Sequence, residues 1–178
     1  MSSTPQFPET WFISMAIMGR PNLLTRPRYS AIIARHLNAG HEEQQVIIRS
    51  HLLLPDQVML LIQPFKTPLT LWLQDFIKDT AVDLCESLNT DQQDERKEWF
   101  ECFVNRHNNG YDVLWRNIEH LPVRSREEYE AFEARMLSAP VKAGFVSHPD
   151  YYPYTWFNNR AGVMYTPPVF DEDRQGLL

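Results

Sequence analysis

The sequence predicts an α+β domain: an antiparallel, ferredoxin-like sheet with helices packed mainly on one face and an irregular aromatic strap at its C-terminal end. Two observations lead to this prediction. The patterned stretches follow in the order strand, helix, strand, strand, helix, helix, strand, helix, which is typical of helices added to an antiparallel sheet. The two middle strands are separated only by Pro55-Asp56, so they form a hairpin with a very tight turn.

The length and composition indicate one globular domain. The chain has 178 residues, of which 43% are hydrophobic and 22% are charged. We expect a tail over residues 1–10, the domain over 11–160 and a second tail over 161–178. No apolar run is long enough to cross a membrane and the N-terminal residues lack the pattern of a secretory signal, so a cytoplasmic location is expected. Cys85 and Cys102 are interpreted as buried or semi-buried thiols, with a disulfide as the alternative.

The first third of the chain predicts a strand, a helix and the hairpin. Residues 11–18 are apolar and aromatic enough for a buried strand. Thr25 is placed to cap a helix over residues 28–38, which Asn38 to Gly40 would end. The strands of the hairpin then occupy residues 44–54 and the stretch that starts at Gln57.

The middle of the chain predicts two consecutive helices. Thr67 and Pro68 open a long helix whose apolar residues recur at the helical period as far as Leu88. A second helix is expected over about residues 92–107, where aromatic and apolar side chains share one side. These two helices would supply most of the cover for the sheet.

The last third predicts a strand, a helix and the strap. Residues 111–123 have the composition of a strand, which Pro122 shortens or confines to an edge. Ser125-Arg-Glu-Glu128 is a capping box, and the helix that it starts must stop before Pro140. The aromatic, proline-rich residues 150–170 are expected to pack across the surface as an irregular strap.

The charge limits where a nucleic acid could bind. The net charge is −6, whereas proteins that hold nucleic acid by its phosphates usually have a basic excess, so any basic surface must be local. Arginines concentrate in the first fifty residues, in the turn and helix after the first strand. The candidate phosphate contacts there are Arg20, Arg26, Arg28 and Arg35, and Arg124 and Lys142 at the ends of the last helix join them. The alternative for these residues is a solvated basic face.

Aromatic residues are the second kind of nucleic-acid candidate. Trp115 beside Arg116 has the composition of a base-stacking platform, but core packing of the tryptophan is the interpretation that we favour. The aromatic residues near the C-terminus could form either a base platform or a hydrophobic lid, of which we favour the lid. They are Tyr151, Tyr152, Tyr154, Trp156 and Phe157.

Three segments, in order over residues 11–158, resemble the HUH-type single-tyrosine transposases, and the REP-associated tyrosine transposases most closely. The first is "WFISMAIMGRPNLLTRPR", similar to the opening strand and basic turn of that family. The second is "SHLLLPDQVMLLIQP", similar to its hairpin. The third begins at "VLWRNIEHLPVRSREEYEAFEARMLSAPVKAGF" and continues to the closing "YYPYTWF", similar to its final strand, its tyrosine-bearing helix and its C-terminal segment.

The resemblance implies where the family's chemistry would lie. The family uses two histidines one residue apart on a strand to hold a divalent metal, a tyrosine on a nearby helix as nucleophile, and an amide one helical turn later. The corresponding residues are Gln57 and Met59 for the histidines, Arg135 for the tyrosine and Ala139 for the amide. A thioether does not suit a hard cation, and a guanidinium cannot act as a nucleophile. The resemblance therefore predicts a catalytically inactive member that needs no cofactor.

Two neighbouring residues are possible replacements for the missing groups. His51 lies on the paired strand and could face the same pocket as Asp56, where it would be a weak candidate metal ligand for an ion such as Mg²⁺; a partly buried histidine is the alternative. Tyr129 is on the helix of Arg135 but six residues earlier, which rotates it away by the helical period, so we interpret it as a packing residue.

Three functional hypotheses follow. The first is a DNA-binding protein that holds structured single-stranded DNA, such as a hairpin, without cleaving it. The second is a protein-interaction or regulatory module on the same fold, which the net acidity favours. The third is a metal-dependent DNA-nicking transposase with rearranged ligands. No membrane partner is expected, and the sequence leaves a monomer and a homodimer equally open.

Overall fold

The structure, a computed structural model, describes residues 8–92, 96–101 and 114–170. The strands are β1 (Thr10–Ile17), β2 (Val46–Leu54), β3 (Gln57–Pro64) and β4 (Trp115–Val123). The helices are α1 (Pro27–Glu42), α2 (Leu69–Asn89) and α3 (Arg126–Lys142), and a 3-10 turn covers Pro149–Tyr151. Residues 96–101 are also helical, within the second predicted helix; the rest of that prediction, with Cys102, lies outside the described residues.

The four strands form one sheet in the order β2-β3-β1-β4, and all neighbours are antiparallel. This order confirms the ferredoxin-like α+β prediction. β2 and β3 are joined by the two residues Pro55 and Asp56, as the hairpin pattern predicted. Among the described strands β4 pairs with β1 alone, so Pro122 lies on an edge strand, which is where prolines are tolerated in a sheet.

The two faces of the sheet carry different helices. On one face the Trp115 Nε1–H donates a hydrogen bond of 3.0 Å to Thr80 Oγ1 of α2, and α1 packs beside α2. On the opposite face the ring of Phe12 stacks on Phe132 of α3, with 4.5 Å between centroids. Side chains alternate along a strand except at the irregularities between Ser14 and Ala16 and between Ile48 and Ser50, so these contacts, with the pairing register, assign the paired residues to a face. We call the second one the α3 face.

Helix α1 differs from its prediction at both ends. It begins after Arg26, which makes no side-chain capping bond, and Pro27 occupies its first position, so Thr25 is not the cap. It continues through Gly40 to Glu42. A Cβ atom at Gly40 would lie 2.6 Å from Trp72 Nε1, so this glycine allows α1 and α2 to approach closely and does not end the helix.

Helix α3 begins as predicted and ends later than predicted. The Ser125 Oγ accepts a hydrogen bond from the Glu128 backbone N–H at 3.2 Å, which is the capping contact expected from the sequence. The prediction that the helix stops before Pro140 was wrong, because α3 runs to Lys142. Pro140 lies in the last turn, and Gly144, directly after the C-cap residue Ala143, has a φ of +80°, which is typical of the residue that follows a helix C-terminus.

The strap is fixed to the outer edge of β2. The Leu53 N–H donates to the Tyr154 carbonyl at 3.0 Å, and the Tyr152 hydroxyl donates to the Leu53 carbonyl at 2.8 Å. Farther along, the Thr166 N–H donates to the Ile48 carbonyl at 2.8 Å. The strap therefore includes residues up to 170, and the first ten residues of the predicted tail pack on the domain.

No helix in residues 8–92, 96–101 and 114–170 is both long enough and apolar enough to cross a membrane.

Candidate functional site

A pocket of about 430 Å³ opens on the α3 face, between the β2–β3 turn and the C-terminal half of α3. It is lined from the sheet side by Leu54, Asp56, Gln57 and Met59. From the helix side and its continuation it is lined by Arg135, Ser138, Ala139, Lys142, Ala143 and Phe145, and Arg20 completes the rim. All four positions that the resemblance assigned to the family's chemistry line this one pocket.

The floor consists of Gln57 and Met59, the first and third residues of β3. Being two residues apart, they project to the same face, and Met59 pairs with Ser14 of β1. The Gln57 Nε2 donates to Ser14 Oγ at 2.8 Å, which holds the amide against the sheet. The side chain of Met59 is almost completely buried. The floor thus offers one amide and one thioether.

The wall is the last two turns of α3, where Arg135, Ser138, Ala139 and Lys142 recur at helical spacing. The Arg135 Nη1 donates to Glu119 Oε1 of β4 at 2.8 Å, and the guanidinium carbon lies 4.8 Å from the centroid of the Phe12 ring. Both members of the pair remain substantially exposed, at 45% and 39%. Arg135 is therefore held over the sheet while part of its guanidinium faces solvent.

The rim is formed where the turn after β1 meets the β2–β3 turn. Arg20 has a φ of +50°, and its Nη1 lies 3.1 Å from Asp56 Oδ2. The two turns are joined by backbone hydrogen bonds, including one of 2.9 Å from the Ile17 N–H to the Asp56 carbonyl. These bonds fix the position of Asp56, and Asp56 in turn orients the Arg20 side chain.

Charge varies along α3 in a way that places cations at the pocket. The acidic residues of this helix, Glu127, Glu128, Glu130 and Glu133, all precede Arg135. Lys142, in the last turn, makes no ion pair with another described residue. Cations at a helix C-terminus also complement the helix dipole, which is a sufficient structural reason for Lys142 alone. Together with Arg20 and Arg135, however, it gives the pocket three cations against one lining carboxylate.

Arg116 lies on the same face, beyond the floor. Ala16 pairs with Gln57 on one side and with Arg116 on the other, so the three side chains form one row across the sheet. The Arg116 side chain is exposed. It extends the positive charge of the pocket toward the β4 edge.

The pocket residues do not fit a divalent metal ion. Such ions are bound by carboxylates, amide or backbone carbonyls, and imidazoles. Met59 is a thioether and Ala139 a methyl group, while Asp56, the only carboxylate in the lining, is paired with Arg20. Among the described residues, no group of three or more histidine, cysteine, aspartate or glutamate side chains has the arrangement of a metal site.

His51 does not line the pocket, so the interpretation as a buried histidine holds and the weak metal-ligand candidate does not. It pairs with Leu60, whereas Leu52 pairs with Met59, so the imidazole projects to the opposite face from the floor. The ring is completely buried beside the ring of Tyr165, with 6.1 Å between centroids. Burial lowers the pKa of His51 from 6.5 to about 4. His51 is therefore not a ligand for an ion bound at the floor.

Tyr129 is also unsuited to the missing nucleophilic role. Its hydroxyl lies 3.0 Å from Ser50 Oγ, and Ser50 Oγ donates to Glu133 Oε1 at 2.6 Å. The side chain is 1% exposed, and burial raises the pKa of its phenol. Tyr129 packs two turns along α3 from the pocket, as its spacing from Arg135 predicted.

The other predicted basic residues are distributed over the molecule. Arg28 binds the end of α2 through Ser87 and Thr90, and Arg35 binds Asp83 of α2 at 2.7 Å. Both therefore lie on the face opposite the pocket and join the two helices. Arg26, at the start of α1, is exposed and is not among the pocket residues.

Arg124 is far from the pocket. It follows the end of β4 that lies opposite Arg116, and eight residues of strand separate the two by about 26 Å. Its backbone N–H donates to Glu128 Oε2 at 2.7 Å, as part of the capping box. Of the predicted cations, the structure brings together Arg20, Arg116, Arg135 and Lys142 on the α3 face.

Trp115 packs in the core, in agreement with the favoured interpretation, and the base-stacking alternative does not hold. Its side chain is 3% exposed and its indole N–H is bonded to α2, so neither ring face is open to a base.

The aromatic residues of the strap differ in their exposure. Tyr152 and Tyr154 are buried, in agreement with the favoured lid, while Tyr151 is 71% exposed.

One aromatic residue of the pocket was missed by the sequence reasoning. Phe145, three residues after the end of α3, is 50% exposed and lines the pocket rim. Its position is set by the Gly144 turn and by a 2.9 Å hydrogen bond from its N–H to the Pro140 carbonyl. The available signal was an aromatic residue directly after a helix-ending glycine and close to Lys142.

Comparison with known proteins gives one informative similarity. No protein-family model matches the sequence, and no curated protein is detectably similar to it. One solved structure is that of a REP-associated tyrosine transposase bound to a REP hairpin. Its similarity to this protein covers 96% of this chain and 94% of the transposase chain, with a TM-score of 0.60 and 16% sequence identity. A candidate transposase of Deinococcus radiodurans R1 is similar over 78% of this chain and 96% of its own, with a TM-score of 0.41 and 14% identity.

The first of these similarities extends over almost the whole of both proteins, and it shows a transposase-like fold. The TM-score of the second similarity is too low to define a shared fold. Neither one bears on whether the residues of the pocket act on DNA.

Proposed function

We propose that this protein binds structured single-stranded DNA, in the form of a hairpin, at the pocket on the α3 face, and that it does so without cleaving the strand. The observation that carries this proposal is the position of Arg135. A permanently charged guanidinium lies where the resemblance puts the nucleophile, at the centre of a pocket with two further cations, Arg20 and Lys142. Such a group binds a phosphate and cannot attack it.

The distribution of charge supports the α3 face as the DNA-binding face. Helix α2, on the other face, has four acidic side chains and a single lysine, Lys78; the acidic residues are Asp75, Asp79, Asp83 and Glu86. A second cavity, of about 210 Å³, has Glu43, Asp75 and Asp79 in its lining on that side. Phosphates would be repelled there, so the net charge of −6 is compatible with DNA bound at one local surface.

Binding should be weakened by salt and by loss of Lys142. With about three phosphate contacts, the logarithm of the association constant should fall with the logarithm of salt concentration with a slope of about 2 to 3. Lys142→Ala should reduce that slope by about 1 and weaken binding roughly uniformly across DNA sequences. Fluorescence anisotropy with a labelled hairpin oligonucleotide, at several salt concentrations, measures both quantities.

Lys78→Ala is the matched control, because Lys78 is an exposed helical lysine on the other face. It should leave affinity and salt slope unchanged. No binding at low salt, binding without salt dependence, or an equal loss in the two lysine variants would contradict the proposal. A failure to bind DNA would leave the protein-interaction module as the better hypothesis, to be tested by recovery of a specific partner after nuclease treatment.

The same DNA should remain uncut. We expect no nicked product and no covalent protein–DNA adduct with Mg²⁺ or Mn²⁺, because neither Gln57 with Met59 nor Arg135 supplies a metal site or a nucleophile. Denaturing electrophoresis of an end-labelled hairpin detects both products, with an active HUH-type transposase as the positive control. Metal-dependent nicking that persists in a Tyr129→Phe variant would show that the pocket uses a different chemistry.

A further inference from the structure

Phe145 is an exposed aromatic side chain at the edge of a cationic pocket. Its ring lies 6.2 Å from the ring of Tyr152, centroid to centroid, at 33°. Tyr152 is itself fixed by the hydrogen bond from its hydroxyl to Leu53, and the Phe145 backbone is fixed by its bond to Pro140. Half of the Phe145 side chain is nevertheless exposed, so an ordered support presents an apolar ring to solvent.

The surroundings of this ring define what could cover it. The same pocket contains Lys142, one helical turn from Ala139, together with Arg135 and Arg20. Arg20 and Arg135 already have carboxylate partners, whereas Lys142 forms no ion pair with another described residue. A purely apolar partner would leave the Lys142 ammonium without a counter-ion, and a phosphate alone would leave the Phe145 ring uncovered. A nucleotide satisfies both, because its base is a flat apolar surface and its phosphate is an anion.

The floor adds a polar group of the right kind for a base edge. Gln57 uses one amide hydrogen for Ser14, and its side chain has a second N–H and a carbonyl oxygen. Glutamine amides pair with base edges through one donor and one acceptor. A volume of about 430 Å³ is within the range of small-ligand sites, so one nucleotide unit fits.

We propose that Phe145 stacks on an unpaired base, with the phosphate next to that base bound by Lys142 and Arg135. This inference rests on the proposed function and deepens it, because it specifies which part of a hairpin enters the pocket. A paired base exposes no free face, so the pocket selects the unpaired nucleotides that flank or cap a stem. Duplex DNA would contact only the cations.

Hairpins that share one stem and loop but differ in their ends test this selection. One has a blunt end, one an unpaired thymine flank on the 5′ side, and one the same flank on the 3′ side. Wild-type protein should bind one flanked hairpin about tenfold more tightly than the blunt hairpin, which is the usual contribution of one stacked base. Phe145→Ala and Phe145→Leu should remove this preference, whereas Phe145→Trp should keep it.

Tyr151→Ala is the matched control, because Tyr151 is more exposed than Phe145 but does not line the pocket. It should leave the preference unchanged. A direct readout comes from 2-aminopurine placed in the flank, whose emission falls when the base is stacked. The fall should occur with wild-type protein and Phe145→Trp, and it should be absent with Phe145→Ala and Phe145→Leu.

The outcomes separate this inference from the proposed function. Equal binding of flanked and blunt hairpins by wild-type protein, with Lys142→Ala weakening both, would overturn the role of Phe145 and leave DNA binding intact. Absence of all binding would overturn both proposals. Competition by free deoxynucleoside monophosphate as effective, mole for mole, as the flanked hairpin would also overturn the inference, because the ligand would then be a free nucleotide.

Discussion

Acidification from pH 6.5 to pH 4 should lower the free energy of unfolding by roughly 3 kcal/mol through His51 alone. The imidazole is completely buried, and the Asn159 side chain beside it, which raises the pKa, offsets only part of the effect of burial. Burial holds its pKa at about 4, against 6.5 for an exposed histidine. The unfolded chain therefore takes up a proton below about pH 6.5, while the folded protein does so only below about pH 4.

The direction in which stability changes with pH follows from this difference between the folded and unfolded pKa of His51. Between those pH values the unfolded state binds more protons, so stability falls as the pH falls and the contribution of His51 is complete only above pH 6.5. Urea denaturation at pH 7 and at pH 4.5 measures the change. His51→Phe removes the titrating group and should flatten the dependence relative to the wild type.

Other groups also titrate in this range, so the comparison between variants is what isolates His51. His41 has a pKa lowered by burial and contributes in the same direction, and Asp83, whose pKa is lowered by its hydrogen bonds to His36 and Arg35, loses stabilisation at more acid pH. A His51→Phe variant with the wild-type pH dependence would show that the buried imidazole does not titrate as described.

Gly40→Ala should destabilise the protein by about 1 to 3 kcal/mol, although alanine is the better helix former by about 1 kcal/mol. The new methyl group would lie 2.6 Å from Trp72 Nε1 and 3.4 Å from a Val46 methyl, so the two helices would have to separate. Thermal or urea denaturation of the variant provides the measurement. Destabilisation at a helical glycine is the opposite of what propensity alone predicts.

A double-mutant cycle identifies the cause. Trp72→Phe removes the indole nitrogen that the new methyl group would meet, so the double variant should be more stable than the sum of the two single effects implies. Ala39→Gly, at the exposed neighbouring position, is the control for propensity and should cost about 1 kcal/mol. Stabilisation by Gly40→Ala, or strict additivity with Trp72→Phe, would contradict the close approach seen here.

The elements that could be predicted were those in which local pattern and tertiary packing agree. The hairpin around Pro55-Asp56, helix α2 and the edge position of β4 all follow from local signals that the fold does not override. Gly40 and Pro140 were misinterpreted for one shared reason: both usually end helices, but here one accommodates Trp72 and the other lies in a final turn. Neither the contact of Gly40 with Trp72 nor the position of Pro140 in a final turn can be recognised from a local sequence pattern.

Only part of the candidate functional site could be predicted from the sequence. The expectation that Gln57, Met59, Arg135 and Ala139 meet came from the resemblance, and the structure brings them to one pocket. The face on which His51 lies depends on the register of β2 against β3, including the irregularity between Ile48 and Ser50, which no local pattern reveals. Phe145 was missed because its importance comes from exposure beside distant cations.

The strap has a consequence for how the chain is made. Its hydrogen bonds to Leu53 and Ile48 join residues about a hundred positions apart in sequence, so on the ribosome the outer edge of β2 is complete long before its partner has been synthesised. During that interval β2 exposes unpaired backbone groups and an uncovered His51. The nascent chain is consequently most vulnerable to wrong strand pairing just before the strap leaves the ribosomal tunnel, and substitutions that slow strap docking should lower the yield of folded protein more than its final stability.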